Sequence, residues 1–84
     1  MPFHVYILQN HVGKFYTGHT DDLTRRLGEH NSADGPLTKY TLKNGPWRLV
    51  WSEQHTTRSE AIGRERQIKA MKSARWIREE LLNW

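Results

Sequence analysis

Cysteine is missing from all 84 residues, and proline, at three, is scarce. Without cysteine no disulfide can staple the fold, and no thiolate can serve as nucleophile or zinc ligand. The same absence is compatible with a reducing compartment. No apolar run is long enough to span a bilayer, and MPFHVYILQN at the N-terminus lacks the basic stretch that opens a secretory signal. The chain is therefore read as cytoplasmic, with no membrane partner. Acidic residues are outnumbered, nine against 13 Lys and Arg, for a formal charge of +4 with five neutral histidines. That bias suits a nucleic acid or another anion, and solubility alone would also account for it. There is no P-loop, no dinucleotide fingerprint, no HExxH motif and no run of His and carboxylates with structural-zinc spacing. A chain of this length fits one domain, read as residues 1–84, with a modest core.

What is present alternates between strand and helix signals. FHVYILQ (3–9) alternates and is rich in β-formers, NHVG (10–13) is a turn signal, and KFYTG (14–18) is a second strand that should pair with the first. Thr20 or Asp21 can cap a helix to about Asn31, with Leu23 and Leu27 as its buried stripe. Gly28 costs that helix roughly 1 kcal/mol against alanine, so it marks a weak spot or a close packing point. SADGPLTKYTLKNGP (32–46) reads as an ordered connector and PWRLVWSEQ (46–54) as a third strand, with Trp47 and Trp51 on one face by parity. Thr57 and Glu60 form a capping box for a helix to about Met71, and Ser73 caps a last helix over ARWIREELLNW. The order β-β-α-β-α-α predicts an α+β fold, a three-stranded sheet with helices over at least one face. His11 and His55 are read as solvent-facing turn residues, and the tryptophans as packing anchors.

Several polar residues sit where apolar ones are expected. Arg26 lies three beyond Leu23, and His30 three beyond Leu27, so both flank the buried stripe on one side, while Arg25 points elsewhere. Arg26 could simply snorkel over apolar surface. In the second helix Glu65 stands three residues from both Ile62 and Ile68, within an apolar face that also includes Ala61 and Met71. A carboxylate there needs a partner, either an ion pair, for example with Arg26, or a bound cation. Around it, from Arg58 to Arg78, seven basic residues outnumber two acidic ones, a surface suited to phosphates. On the strands, Tyr6 shares a face with His4 and Leu8, and Tyr16 shares one with Lys14 and Gly18. Gly18 leaves room beside Tyr16 for a tight turn or a close ligand.

Together these pieces resemble the GIY-YIG endonuclease domain. HVY at 4–6 stands for the first half-motif, with histidine in place of its glycine, and YTG at 16–18 for the second. VYIL…FYTG…TDDLTRRLGEHN, followed by ERQIK in a late helix, is similar to the small single-domain branch of that superfamily over essentially the whole chain. The resemblance implies an antiparallel three-stranded sheet flanked by helices, and hydrolysis of phosphodiester bonds with one divalent cation, Mg2+ or Mn2+. It maps the family's helix arginine to Arg26, its metal-binding glutamate to Glu65, and its motif tyrosines to Tyr6 and Tyr16. His30 stands where some members carry a further tyrosine, and His19 where DNA-repair members carry lysine. Nucleic-acid contacts are expected from Lys14, His19, Arg25, Arg64, Lys69 and Lys72.

In that chemistry a phosphodiester attacked by water gathers charge on its nonbridging oxygens, where Arg26 supplies a permanently charged fork of donors. A cation on Glu65 would neutralise more and ease departure of the 3′-oxygen, leaving 3′-hydroxyl and 5′-phosphate ends. Tyr16 is preferred as general base, with Tyr6 supporting it and His30 relaying or positioning. A free tyrosine titrates at about 10 and a histidine at about 6.5, so His30 stays open as the alternative base. DNA is the expected partner, with RNA the other substrate class and a protein partner one source of specificity. The rival readings are a nucleic-acid binding module that cleaves nothing, and a structural or protein-interaction domain in which Arg26 and Glu65 are a buried ion pair.

Overall fold

The computed structural model describes residues 2–31 and 45–83; most of the connector expected at 32–46 lies outside them. Strand β1 (Phe3–Asn10) occupies the middle of a three-stranded sheet of order β2-β1-β3, flanked by β2 (Phe15–Thr20) and β3 (Trp47–His55). Both pairings are antiparallel. Val5, Tyr6, Ile7 and Leu8 are all buried, because helices cover both faces of the central strand. The β1–β2 turn is held by Asn10, whose Oδ1 accepts the backbone N–H groups of Val12 and Lys14 at 3.2 and 2.8 Å. Gly13 completes it at φ +87°, a conformation that residues with a Cβ rarely adopt.

One face carries Val5 and Ile7 against Ala61 and Ile68 of α2 (Arg58–Met71) and against Ile77. The other carries Tyr6, Leu8 and Trp47 against Leu23 and Leu27 of α1 (Leu23–Asn31). The two tryptophans of β3 therefore do not share a face. Ile7 pairs with Trp51 but Leu8 pairs with Leu49, so Val50 is an extra residue that shifts the register. A bulge of this kind reverses the alternation, placing Trp47 on the α1 side and Trp51 on the α2 side.

The helix ends follow side-chain chemistry. Asp22, rather than Thr20 or Asp21, caps α1: its Oδ1 accepts the Arg25 N–H at 3.0 Å, while Thr20 Oγ1 accepts the Asp22 N–H one step earlier. At the other end Asn31 grips the start of β3, donating from Nδ2 to the Trp47 carbonyl at 2.9 Å and accepting the Trp47 N–H at 2.6 Å. Thr57 Oγ1 accepts from Glu60 N and donates to the Glu60 carboxylate, and Lys72 ends α2 in the left-handed conformation. Ser73 caps α3, which begins as one α-helical turn at Ala74–Trp76 and widens into a π-helix over Ile77–Leu82. That widening brings Leu81 and Leu82, four and five residues on, onto the same core as Ile77. Met71, by contrast, is 42% exposed and not part of the apolar face of α2. No helix among the described residues is long and apolar enough to cross a membrane.

Candidate active site

The site grows from one cross-strand pair. Tyr6 faces Gly18 across the β1–β2 ladder, and a Cβ on Gly18 would meet the Tyr6 Oη at 2.6 Å and Cζ at 2.8 Å. The room that Gly18 leaves is filled by the Tyr6 ring. Tyr6, 3% exposed, is hydrogen-bonded through Oη to His30 Nε2 at 3.1 Å. His30, on the last turn of α1, is 1% exposed and packs edge-on against Tyr16, ring centroids 4.6 Å apart. Tyr16 in turn lies against Tyr6 and Trp47, with centroids 6.4 and 6.1 Å away, and is only partly buried. Two strands and a helix thus bring together three side chains that the motifs singled out.

Their protonation follows from burial. Burial pushes the Tyr6 phenol well above its ordinary range; the neighbouring Tyr16, Glu65 and Glu29 add to this, and the Arg26 guanidinium opposes it. Tyr6 therefore keeps its proton at every physiological pH. Burial, then the positive charge of Arg26, lowers the His30 pKa below 6.5, with Glu29 acting against them. A neutral imidazole at pH 7 follows. Its Nδ1 is buried with no hydrogen-bond partner among the described residues.

Arg26 and Glu65, which could have paired with each other, have separate partners. Arg26 Nη1 lies 3.3 Å from Glu29 Oε1 on the same helix, close enough for an ion pair but not aligned as a hydrogen bond. Its Nε is buried and has no partner among the described residues. Glu65 reaches from α2 to the edge strand, where His19 Nδ1 is 2.6 Å from Oε1, and Lys69 Nζ donates to Oε2 at 2.9 Å. Burial alone would raise the Glu65 carboxyl, but the hydrogen bonds from His19 and Lys69 hold it below the usual range. This explains how a carboxylate only 15% exposed is tolerated on that helix. His19 was expected to contact nucleic acid, and its link to Glu65 was not anticipated. The legible signal was parity: in β2 it faces opposite to Tyr16 and Gly18, toward α2.

The basic residues divide by position. Lys14, Lys69 and Lys72 rim an open groove of about 330 Å³ along the β2 edge, floored by Phe15, Ile68 and Ile77. Arg25 is exposed and paired with Asp21 at 2.9 Å. Arg64 is not brought to the site: its Nε donates to Glu53 on β3 at 2.9 Å, and its guanidinium lies over Trp51. His55, expected in a turn, ends β3 and bonds to the same Glu53.

The donor set bears on a divalent cation. Among the described residues no three His, Cys, Asp or Glu side chains cluster as a ready-made cage. Glu65 is nevertheless an ionised, hard oxygen donor at the edge of the site. Magnesium is commonly held by one or two carboxylates, with waters and substrate oxygens completing its sphere. The residues present fit that sparse mode and no denser one.

Comparison with known proteins agrees with this architecture. The model of the GIY-YIG catalytic domain matches residues 2–78. A UPF0213 protein of Halobacterium salinarum is 42% identical over 71 residues, 84% of this chain and 90% of that protein. One from Staphylococcus epidermidis is 43% identical over 65 residues, 77% of each. The solution NMR structure of a UPF0213 protein from Bacillus halodurans superposes with a TM-score of 0.50 at 40% identity, covering 83% of this chain and 72% of that one. With the paired tyrosines, the helix arginine and the helix glutamate in one fold, this chain belongs to the GIY-YIG family, in its UPF0213 branch.

Proposed function

We propose that the protein is an endonuclease that hydrolyses DNA phosphodiester bonds with the help of one divalent cation, leaving 3′-hydroxyl and 5′-phosphate ends. The observation that carries this reading is convergence: Tyr6 of β1, Tyr16 of β2 and His30 of α1 pack together, and the charges of Arg26 and Glu65 act on the Tyr6 phenol. Glu65 would hold Mg2+ or Mn2+, which when bound supplies Lewis-acid neutralisation of the phosphate.

The chain's own residues divide the remaining work. Arg26 has donors to spare and no aligned hydrogen bond to Glu29, so it is suited to a nonbridging phosphate oxygen. Tyr16 is the more accessible of the two motif phenols and, once ionised, its phenolate takes the proton from the attacking water. Tyr6 cannot do so, because it holds its own proton too tightly. His30 is enclosed between the two tyrosines and acts by positioning them, rather than as the base that meets water.

A second reading, a binding module that does not cut, is favoured by the fact that both Glu65 oxygens are already engaged. Cleavage of labelled branched, nicked, single- and double-stranded DNA and of RNA separates the two. Wild type and Glu65→Ala are compared with Mg2+, with Mn2+ and with EDTA. Metal-dependent cutting of DNA that falls at least 10²-fold in the variant is expected, in line with loss of a charge-stabilising group. Binding without cutting on every substrate would leave the module.

A further inference from the structure

Near the C-terminal end of β2 a small cavity of about 190 Å³ is walled largely by polar side chains. Arg25 and Arg26 enter it from α1 and Arg58 from α2, with His19, Asp21 and Phe3 completing most of its lining. Three arginines line it against one aspartate, with the Glu29 carboxylate beside Arg26, so the lining carries net positive charge. A net positive, polar cavity of this kind attracts an anion.

Arg58 is placed there against the helix's own electrostatics. It is the first residue of α2, where the helix dipole favours an acidic side chain over a basic one. It makes no direct ion pair among the described residues, though its charge acts on the Asp21 carboxylate; its guanidinium lies 5.1 Å above the Phe3 ring. A cation–π contact uses the face of the guanidinium and leaves its N–H donors available in the plane. Arg25 has given one donor to Asp21, and Arg26 keeps a buried Nε with no partner among the described residues. The cavity therefore offers fixed, unused donors from two helices, which suits the tetrahedral, multiply charged oxygens of a phosphate.

We infer that Arg58 and Arg25 form a subsite for the phosphate adjacent to the one that is cleaved, with Arg26 standing between the two phosphates, so that the protein engages at least two consecutive phosphates of a strand. The occupant rests on the nuclease reading. The anion-binding property does not.

The test follows the arginine Nε–Hε signals of the 15N-labelled chain by NMR as inorganic pyrophosphate, and then a short single-stranded DNA, is added. Signals of Arg25, Arg26 and Arg58 should move together and saturate, while those of Arg75 and Arg78 stay still. Arg58→Gln should weaken DNA binding about five- to tenfold at low salt and reduce the slope of log affinity against log salt by about one. Arg58→Lys, which keeps the charge but loses the fork, should fall between. Replacing the phosphate next to the cleaved bond by a neutral methylphosphonate should cost wild type the same factor and Arg58→Gln almost nothing, as a double-mutant cycle requires. If Arg58→Gln binds and cleaves like wild type on both substrates, the subsite is overturned and the nuclease stands. If wild type cuts nothing, yet pyrophosphate moves all three arginine signals, the nuclease falls and the anion site stands.

Discussion

At the scale of single residues, Gly18 shows how little a motif letter reveals of its cause. Its backbone needs no left-handed angle; the requirement is steric, because any Cβ would enter the Tyr6 ring. That ring is enclosed by Tyr16 and His30 and cannot simply swing aside. Gly18→Ala is expected to destabilise the fold by about 1–3 kcal/mol, the usual cost of overpacking. Displacing Tyr6 by even 1 Å should also lower activity roughly 10²-fold. Urea unfolding and cleavage rates measure the two effects separately. An alanine variant with wild-type stability and wild-type rate would show that the close approach does not matter. The sequence made Tyr6, Tyr16, Arg26, His30 and Glu65 stand out, because each broke a pattern of burial or matched a motif spacing. It could not show who pairs with whom. Glu65 finds His19, 46 positions away, and Arg26 finds Glu29 on its own helix, outcomes fixed by how α1 and α2 sit on opposite faces of β2. Arg58 was visible only as one charge among seven in a basic stretch, since its significance depends on a second helix.

At the scale of elements, local chemistry was legible and register was not. Thr57 and Ser73 cap the helices their spacing announces, because a cap is an interaction over three residues. The bulge at Val50 is different. It depends on which β1 residue each β3 residue meets, and it sends Trp47 toward the tyrosines instead of toward Trp51's core. Gly28 offers a direct choice between the two reasons a helix keeps a glycine. Among the described residues a Cβ there would meet nothing within 4 Å, and the same holds for Gly63 in α2. Neither is a close packing point. Gly28→Ala and Gly63→Ala should each stabilise the protein by up to about 1 kcal/mol, and the pair should be nearly additive because the sites lie on different helices. Thermal unfolding reads this as a rise of several degrees in Tm for a domain of this size. A fall in Tm at either position would mean that the helix there is held close to something the isolated chain does not supply.

At the scale of the whole molecule, the buried tyrosine–histidine pair couples the fold to pH in both directions. His30 is neutral when folded, with Tyr6, Tyr16, Arg26 and Glu29 as its neighbours. In the unfolded chain it protonates at about pH 6.5. Between that value and its lower folded pKa, the unfolded state binds more protons, so stability falls as pH falls through this window. Glu65, whose folded pKa is depressed below 4.5, adds a further loss only at more acid pH. Tyr6 acts at the opposite limb. Unfolded, it ionises near 10; folded, it keeps its proton to a higher pH, so stability is lost as pH rises above about 10. The stability curve should therefore be flat from about pH 7 to 9.5 and descend on both sides. Urea unfolding across pH 5 to 11 tests it, with two variants assigning the limbs. Tyr6→Phe removes the ionisable oxygen and should flatten the alkaline limb while leaving the acid one. His30→Gln should flatten the acid limb between pH 6.5 and 5 and leave the alkaline one in place. An acid limb that survives in His30→Gln would mean that a group other than this histidine sets the lower bound, and that the imidazole is not held neutral between the two tyrosines.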